Sequence, residues 1–264
     1  MSDIVQNPGT GSGEFVQSLE RGLAVIRAFG PDRARMTLSE VARAADLSRA
    51  SARRFLHTLV ELGYVVTDGR VFALRPQVLE LGYAYLSSLS LPEVAQPHLE
   101  RLAEDVGESS SVAVLDGAEI VYVARVATRR IMSAAIQVGT RFPASATSMG
   151  RAVLAHLPSG DRDDFLDAVA LVPLTPRTIV DVELLRAELD LVRDQGWALV
   201  DQELEEGLRS LAAPLRDRTG RVVGAVNVSA PVRRGAVEEL VAEFLPALLR
   251  AAAEIEADLA RTRG

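Results

Sequence analysis

Residues 37–63, TLSEVARAADLSRASARRFLHTLVELG, constrain this chain more than any other stretch, because their spacing predicts two short helices joined by a tight turn. The first helix has an apolar residue at every third or fourth position, and Thr37 precedes it as a candidate N-cap. After the break at residues 46–47, Ser48 can cap a second helix, which Gly63 ends. Such a pair is typical of a helix-turn-helix.

The outer face of the second helix carries arginines and small residues. At about 100° per residue, Arg53 and His57 point away from the apolar stripe. A helix with this face suits the major groove of DNA, where guanidinium groups read guanine. The candidate DNA-contacting residues here are Thr37, Ser48, Arg49, Ala50, Ser51, Arg53, Arg54 and His57. The alternative is an ordinary helical pair with a solvated basic face.

A β-hairpin is predicted directly after the second helix. Alternating apolar residues at 64–67 and 71–74 flank Asp68-Gly69-Arg70, and Asp-Gly is a strong turn signal because both residues tolerate a positive φ. This hairpin would form a wing with Arg70 at its tip, as a further DNA contact. A wing in this position favours DNA binding over the solvated-helix alternative.

The charge of the chain is unevenly divided. The chain has 264 residues, 48% hydrophobic and 25% charged, which fits a folded protein of two domains. Its net charge of −7 argues against a nucleic-acid protein when taken as a whole. Residues 14–75, however, hold ten arginines and seven acidic residues, so this part carries +3 and the rest −10. The basic part coincides with the predicted helix-turn-helix and wing.

Several classes of protein are excluded by what the sequence lacks. It has no membrane-length apolar run, no secretory signal and no cysteine, so we expect a cytoplasmic protein without a membrane contact, a thiol nucleophile or a thiolate metal site. His57, His98 and His156 have no metal-ligand spacing, and an imagined Asp201–Ser229 hydrolase lacks a base. We therefore predict no enzyme, no metal and no cofactor. A scaffold that only dimerises would leave the wing unexplained.

The chain divides into four predicted segments: a flexible tail at 1–14, a DNA-binding domain at 15–75, a linker and dimerisation helix at 76–91, and an effector domain at 92–264. The linker is apolar on more than one face, which predicts packing against a second subunit. In the last segment the order α-βββ-α-α-βββ-α predicts an antiparallel sheet covered by helices. The six strands are expected at 111–115, 119–125, 131–138, 197–201, 211–216 and 222–229.

Long blocks of the chain from Phe15 onward resemble the IclR family of bacterial transcription regulators. They include FVQSLERGLAVIRAF, LSEVARAADLSRASARRFLHTLVELGYV, FPASATSMGRAVLA, DQELEEGLRSLAAPLRD and GRVVGAVNVSA. RASARRFLHTLVELGYV, LELGYAYLSSL, SVAVLDGAEIVYVARV, TSMGRAVLA and DQELEEGLRS look most like the subgroup that regulates the β-ketoadipate pathway. The resemblance implies a mixed α/β (α+β) fold, in which a winged helix-turn-helix is joined by a helix to a GAF-like effector domain.

The resemblance also implies partners and a function. A regulator of this kind binds a double-stranded DNA operator as a homodimer that pairs into a homotetramer. For the subgroup it implies control of aromatic-acid catabolic genes, with protocatechuate, 4-hydroxybenzoate or β-ketoadipate as the effector. The alternative is an IclR-type regulator of another carboxylate pathway, such as a repressor that responds to glyoxylate or an aliphatic acid.

Residues 145–149, SATSM, enter a predicted helix with several hydroxyl groups. Thr147, Ser148 and the free N–H groups at this positive helix end suit a carboxylate, although such hydroxyls also serve as plain helix caps. By resemblance, Ser148 and Met149 match the family's pocket at this helix start. Asp201, Ser210, Asn227 and Ser229 match its polar residues on later strands.

Other side chains complete the expected effector site. Arg125 and Arg141 are candidates for pairing a ligand carboxylate, and Leu211 is expected as an apolar wall. An ionised Asp201 accepts hydrogen bonds but cannot donate them, so it would favour a ring hydroxyl over a second carboxylate. This argument favours protocatechuate over β-ketoadipate.

Overall fold

The structure, a computed structural model, describes residues 15–86, 90–128 and 136–261. The chain separates into two compact units that divide between Ser88 and Leu89. Each unit has hydrophobic core clusters of its own. The predicted tail at residues 1–14 lies outside the described residues.

Before residue 76, the N-terminal unit consists of three α-helices and a small antiparallel sheet. Its elements are α1 (Gln17–Arg27), β1 (Met36–Thr37), α2 (Leu38–Ala44), α3 (Arg49–Glu61), β2 (Val65–Thr67) and β3 (Val71–Leu74), with strand order β1-β3-β2. The predicted stripe of α3 is buried at Ala52, Leu56 and Leu59. Leu62 continues the apolar spacing of this stripe but is 56% exposed, and α3 ends one residue before it, at Glu61.

Helices α2 and α3 begin where the sequence predicts them, because local side-chain hydrogen bonds cap both helix starts. Thr37 Oγ1 accepts from the Glu40 N–H at 3.4 Å, and the Glu40 carboxylate accepts from the Thr37 N–H at 2.7 Å, which completes a capping box. Ser48 Oγ accepts from the Ser51 N–H at 3.2 Å. Between the helices Asp46 adopts a φ of +52°, which turns the chain sharply.

The wing turn forms by a different mechanism from the one expected. Only Gly69 has a positive φ, of +89°. Asp68 instead accepts hydrogen bonds from the N–H groups of Arg70 and Val71, each at 2.9 Å. The bonds from Val71 and Arg70 hold the pKa of this carboxyl below its usual value.

Residues 76–91 were predicted as one helix but are divided in the structure. Pro76–Val78 form a 3₁₀ turn, α4 spans Leu79–Leu86, and α5 (Ser90–Val106) begins before residue 91. Residues 87–89 lie outside the described ranges. Leu79 and Leu81 are 71% and 49% exposed, so this part of α4 has apolar surface that the described residues of its own unit do not cover.

The C-terminal unit is a six-stranded antiparallel sheet between two helical layers. Its strands are β4 (Ser109–Asp116), β5 (Glu119–Val126), β6 (Arg141–Pro143), β7 (Ala198–Asp201), β8 (Leu208–Arg216) and β9 (Val222–Pro231), in the order β6-β5-β4-β9-β8-β7. One face packs on α5 and α9 (Val237–Arg261). The other face packs on α6 (Ser148–Leu154), α7 (Ser159–Ala168) and α8 (Val182–Gln195).

Most of the sheet follows the prediction, with one exception. The strand expected at 131–138 is absent from its described part, because residues 136–140 form a loop and a turn, and β6 takes the edge position instead. Residues 129–135 lie outside the described ranges. The predicted mixed α/β fold with a helix-turn-helix is confirmed. No helix in the described part of the chain has both the length and the apolarity to cross a membrane.

Candidate DNA-binding surface and effector cavity

The outer face of α3 presents arginines that are not neutralised. Arg49, Arg53 and Arg54 are exposed, and none of them forms an ion pair with a described carboxylate. In contrast, Arg35 lies 2.8 Å from Asp68 at the wing. Unpaired guanidinium groups remain able to make bidentate contacts to phosphate or guanine. The surface of α3 therefore has the chemistry that major-groove recognition needs.

The other candidate DNA contacts divide into two groups. Ala50, His57 and the wing residue Arg70 are exposed. Thr37 and Ser48 act as helix caps, and Ser51 is partly buried against the Ser48 cap. Cap residues lie at helix starts, where side chains and N–H groups commonly contact phosphate. The contact of each residue with DNA stays a prediction.

A cavity in the C-terminal unit lies between the start of α6 and the sheet. It has about 350 Å³ of empty space, including its open mouth. Its lining consists of Tyr122, Ala146, Thr147, Ser148, Met149, Val200, Leu204, Leu208, Ser210, Asn227 and Ser229. The structure thus brings six of the predicted effector residues together around one space.

The polar side of this cavity is a cluster of hydroxyls around one amide. Ser210 Oγ lies 2.7 Å from Ser148 Oγ and accepts from Asn227 Nδ2 at 2.9 Å. Asn227 Nδ2 also donates to Ser229 Oγ at 3.0 Å, so both amide hydrogens are used. Asn227 is 3% exposed, yet its Oδ1 has no hydrogen-bond partner among the described residues. A buried acceptor without a partner is costly, so a ligand donor here would be stabilised.

The opposite walls are apolar and suit a flat ring. They are provided by Tyr122, Met149, Val200, Leu204 and Leu208. The Tyr122 ring meets Phe142 edge-on, with the ring centroids 5.9 Å apart. Burial raises the pKa of Tyr122 to about 12, although the neighbouring Arg125 opposes this shift, so the phenol stays neutral at physiological pH.

The start of α6 is held tightly in place. Thr147 Oγ1 caps the helix by accepting from the Gly150 N–H at 3.1 Å. Gly150 packs against the 3₁₀ turn Ala144–Ala146, where a Cβ would overlap the backbone of Ala144. Only glycine therefore allows this close approach, which fixes Ser148 and Met149 at the cavity.

A buried ion pair joins α6 to the loop after β7, which contributes Leu204 to the cavity wall. Arg151, 1% exposed, donates from Nη1 and Nη2 to the two carboxylate oxygens of Glu203 at 2.7 and 2.6 Å. Glu203 also accepts from the Ile179 N–H at 3.0 Å. Since Glu203 precedes the cavity residue Leu204, the pair positions that wall. Neither residue was predicted from the sequence, although an arginine within the apolar run MGRAVLA is a signal of burial.

One predicted pocket residue, Asp201, faces away from the cavity. In the pairing of β7 with β8, Val200 is opposite Ser210, whereas Asp201 is opposite Arg209. Because neighbouring residues in a strand point to opposite faces, Val200 takes the cavity position expected for Asp201. The Asp201 carboxylate instead accepts from Arg209 Nε at 2.6 Å and Arg177 Nη1 at 2.8 Å.

Leu211 and the two arginine candidates are not among the residues that line the cavity. Leu211 follows Ser210 and is buried in the opposite core, against the layer of α5 and α9. Arg141 is bound at the surface, with Nε 2.7 Å from Glu119 and Nη1 2.7 Å from Asp116. These contacts, the hydrogen bond to Glu119 first, raise the pKa of Arg141. Arg125 does not line the cavity itself but lies on the same face of the sheet.

Comparisons with known proteins decide the family. Residues 18–69 match the IclR helix-turn-helix domain, and residues 83–257 match the family described as bacterial transcriptional regulator IclR C-terminal. The chain belongs to the IclR family. This IclR-family regulator is 45% identical over 247 residues to the Pca regulon regulatory protein of Pseudomonas putida, a match that covers 93% of this chain and 85% of the relative.

Two solved structures resemble the IclR-family regulator along most of its length. A transcriptional regulator from Rhodococcus sp. RHA1 is 57% identical with a TM-score of 0.85, and covers 94% of this chain and 100% of its own. An IclR homologue from Microbacterium hydrocarbonoxydans, crystallised with 4-hydroxybenzoate, is 29% identical with a TM-score of 0.81, and covers 93% and 100%. The family resemblance is confirmed, and with it the prediction of a DNA-binding regulator rather than an enzyme.

Proposed function

We propose that this protein controls aromatic-acid catabolic genes by binding operator DNA through α3 and the wing and by sensing a hydroxybenzoate, such as protocatechuate, in the cavity. The observation that carries the proposal is the cavity itself. It combines a hydroxyl and amide cluster with apolar walls, which are the two parts that a hydroxylated ring requires. Action on DNA implies a cytoplasmic location.

Known relatives support the choice of an aromatic acid. A relative at 45% identity is named a regulatory protein of the Pca regulon, and an IclR homologue at 29% identity was crystallised with 4-hydroxybenzoate. The apolar Val200 at the cavity also favours a ring over a small, fully polar acid such as glyoxylate. The alternative is still that the protein regulates the genes of another carboxylate pathway.

The size of the cavity supports a single-ring ligand that moves its walls. Its 350 Å³ of empty space includes the open mouth, so the enclosed part is smaller than a typical ligand pocket of about 300–1,000 Å³. Lining side chains must therefore shift before a ring can enter. The effector would then bind the shifted arrangement of the unit better than the unshifted one. A regulator needs this difference in affinity, because only such a difference lets a ligand change the population of the two arrangements.

The exposed apolar surface of α4 supports a proposal that the chain assembles into at least a dimer. Leu79 and Leu81 are exposed in the chain alone, and two winged units would match two inverted half-sites. We propose a homodimer that pairs into a tetramer. A monomeric mass by light scattering at micromolar concentration, with and without operator, would contradict this assembly.

Calorimetric titration tests the effector assignment. Wild type is expected to bind protocatechuate once per subunit, and Ser210→Ala to bind it about tenfold more weakly because the central hydroxyl of the cluster is lost. Ser159→Ala, the same change at an exposed position on α7, should bind like wild type. Absence of binding by wild type would refute the proposal. An affinity of Ser210→Ala equal to that of wild type would show that the ligand does not bind in this cavity. A parallel titration with glyoxylate tests the alternative.

A further inference from the structure

Arg125 is a half-buried arginine, and none of the described carboxylates forms an ion pair with it. Its Nη1 donates to Ser111 Oγ at 3.1 Å, while its buried Nε has no partner among the described residues. Burial lowers the pKa of this guanidinium, and no described carboxylate opposes that effect. The neighbouring residues 129–135, RRIMSAA, contain no aspartate or glutamate that could serve.

Other buried arginines of the same unit are paired. Arg151, Arg162 and Arg209 lie 2.6, 2.8 and 2.6 Å from a carboxylate oxygen. Arg162 Nε also lacks a partner, but its Nη1 binds Asp190. Removing a charge from water without a partner is unfavourable. Arg125 is therefore an exception within the described part of this unit, and it has unused binding capacity.

The position of Arg125 connects it to the cavity. Ser111 on β4 pairs with Arg125 on one side and with Asn227 on the other, so the three side chains lie in one row across the sheet. The irregular register between Val112 and Ala113 keeps Tyr122, paired with Ala113, on the same face as Arg125. The guanidinium thus lies next to the Tyr122 wall of the cavity.

Each end of this row has one side-chain atom without a hydrogen-bond partner among the described residues, a donor at one end and an acceptor at the other. Arg125 Nε is a donor with a positive charge, and Asn227 Oδ1 is an uncharged acceptor. The two residues stand two strands apart, about 10 Å between their Cα atoms. A ligand that lies along this row would need an anion at one end and a hydrogen-bond donor at the other.

We propose that Arg125 binds the carboxylate of the effector and that Asn227 Oδ1 accepts its hydroxyl, so the site selects ring acids with these groups at opposite ends. This inference rests on the proposed function, because it takes the cavity to be the effector site. A dicarboxylate without a hydroxyl would place its second anion against the Asn227 acceptor and be disfavoured. The selected class is a 4-hydroxylated benzoate, which includes protocatechuate.

The test compares an acid with its uncharged ester. We expect Arg125→Gln to weaken calorimetric binding of 4-hydroxybenzoate about 10- to 100-fold, because a charge-assisted hydrogen bond is lost, and to leave the affinity for methyl 4-hydroxybenzoate unchanged. Arg141→Gln removes the same charge from the surface of the unit and should bind both compounds like wild type. Arg125→Lys should retain part of the preference for the acid, since it keeps the charge but not the planar fork.

Each result bears on a different claim. Equal weakening of acid and ester in Arg125→Gln would show a structural role for Arg125 and overturn the inference, while the proposed function would stand. If Arg125→Gln does not fold, Arg125→Met keeps the apolar stem without the charge, and an unchanged acid preference in that variant would overturn the inference in the same way. Equal wild-type affinity for 2- and 4-hydroxybenzoate would overturn the opposite-end arrangement. A wild type that binds none of these acids would refute the proposed function itself.

Discussion

Glu203→Ala is expected to lower the unfolding free energy of the C-terminal unit by about 3–5 kcal/mol, because it leaves a buried guanidinium without its charge partner. Arg151 is 1% exposed and depends on Glu203 for two hydrogen bonds. Its third bond, from Nε to the Ser145 carbonyl at 2.8 Å, carries no compensating charge. Glu188 lies 3.8 Å from Arg151 and is partly exposed, so it offsets a fraction of the loss.

The unfolding of this unit can be followed separately. The chain has one tryptophan, Trp197, which packs partly buried in the C-terminal unit, so its fluorescence in urea reports on that unit. Glu183→Ala removes an exposed carboxylate on α8 and is the control, with an expected change below about 0.5 kcal/mol. The pair Arg151→Met with Glu203→Leu should recover most of the loss, since apolar replacement of a buried ion pair is often neutral. An unchanged urea midpoint in Glu203→Ala would contradict the role of the pair.

Arg53→Ala is expected to weaken specific operator binding by about 1–3 kcal/mol, which is roughly 5- to 150-fold, through loss of a bidentate base contact. Arg53 is exposed at the centre of the outer face of α3 and has no ion pair with a described residue. Effector affinity should not change, because the cavity lies in the other unit. Fluorescence anisotropy with a labelled duplex from upstream of the protein's own gene measures the loss.

Two comparisons make the Arg53 result specific. Arg27→Ala removes the same charge from an exposed position on α1 rather than α3. It should lower the operator affinity less than Arg53→Ala does. A duplex of random sequence separates base reading from phosphate binding. An equal loss on both duplexes would make Arg53 a phosphate contact and reject its assignment to base recognition.

The DNA-binding unit was predictable because its signals are local. Capping by Thr37 and Ser48 and the spacing of the α3 stripe all act within a few residues, so the sequence alone locates both helices. Strand β1 was not predictable in the same way. It has two residues and exists through pairing with Val71 and Phe72 across more than thirty positions of sequence.

The effector site depended on pairing that sequence spacing does not reveal. A shift of one residue in a strand moves a side chain to the other face, and this separates Val200 in the cavity from Asp201 on the far side. Leu211 differs from Ser210 for the same reason. The Arg151–Glu203 pair joins residues 52 positions apart, so no local pattern could connect them.

Whether the cavity controls DNA binding can be measured by anisotropy titration of the operator duplex with and without saturating protocatechuate. We expect the acid to change the operator affinity of wild type by about 5- to 150-fold, in either direction, and operator to change the affinity for the acid by the same factor. In Ser210→Ala the same change should need about tenfold more acid. Identical operator affinity in the presence and absence of an acid that calorimetry shows to be bound would contradict the claim that this cavity controls DNA binding.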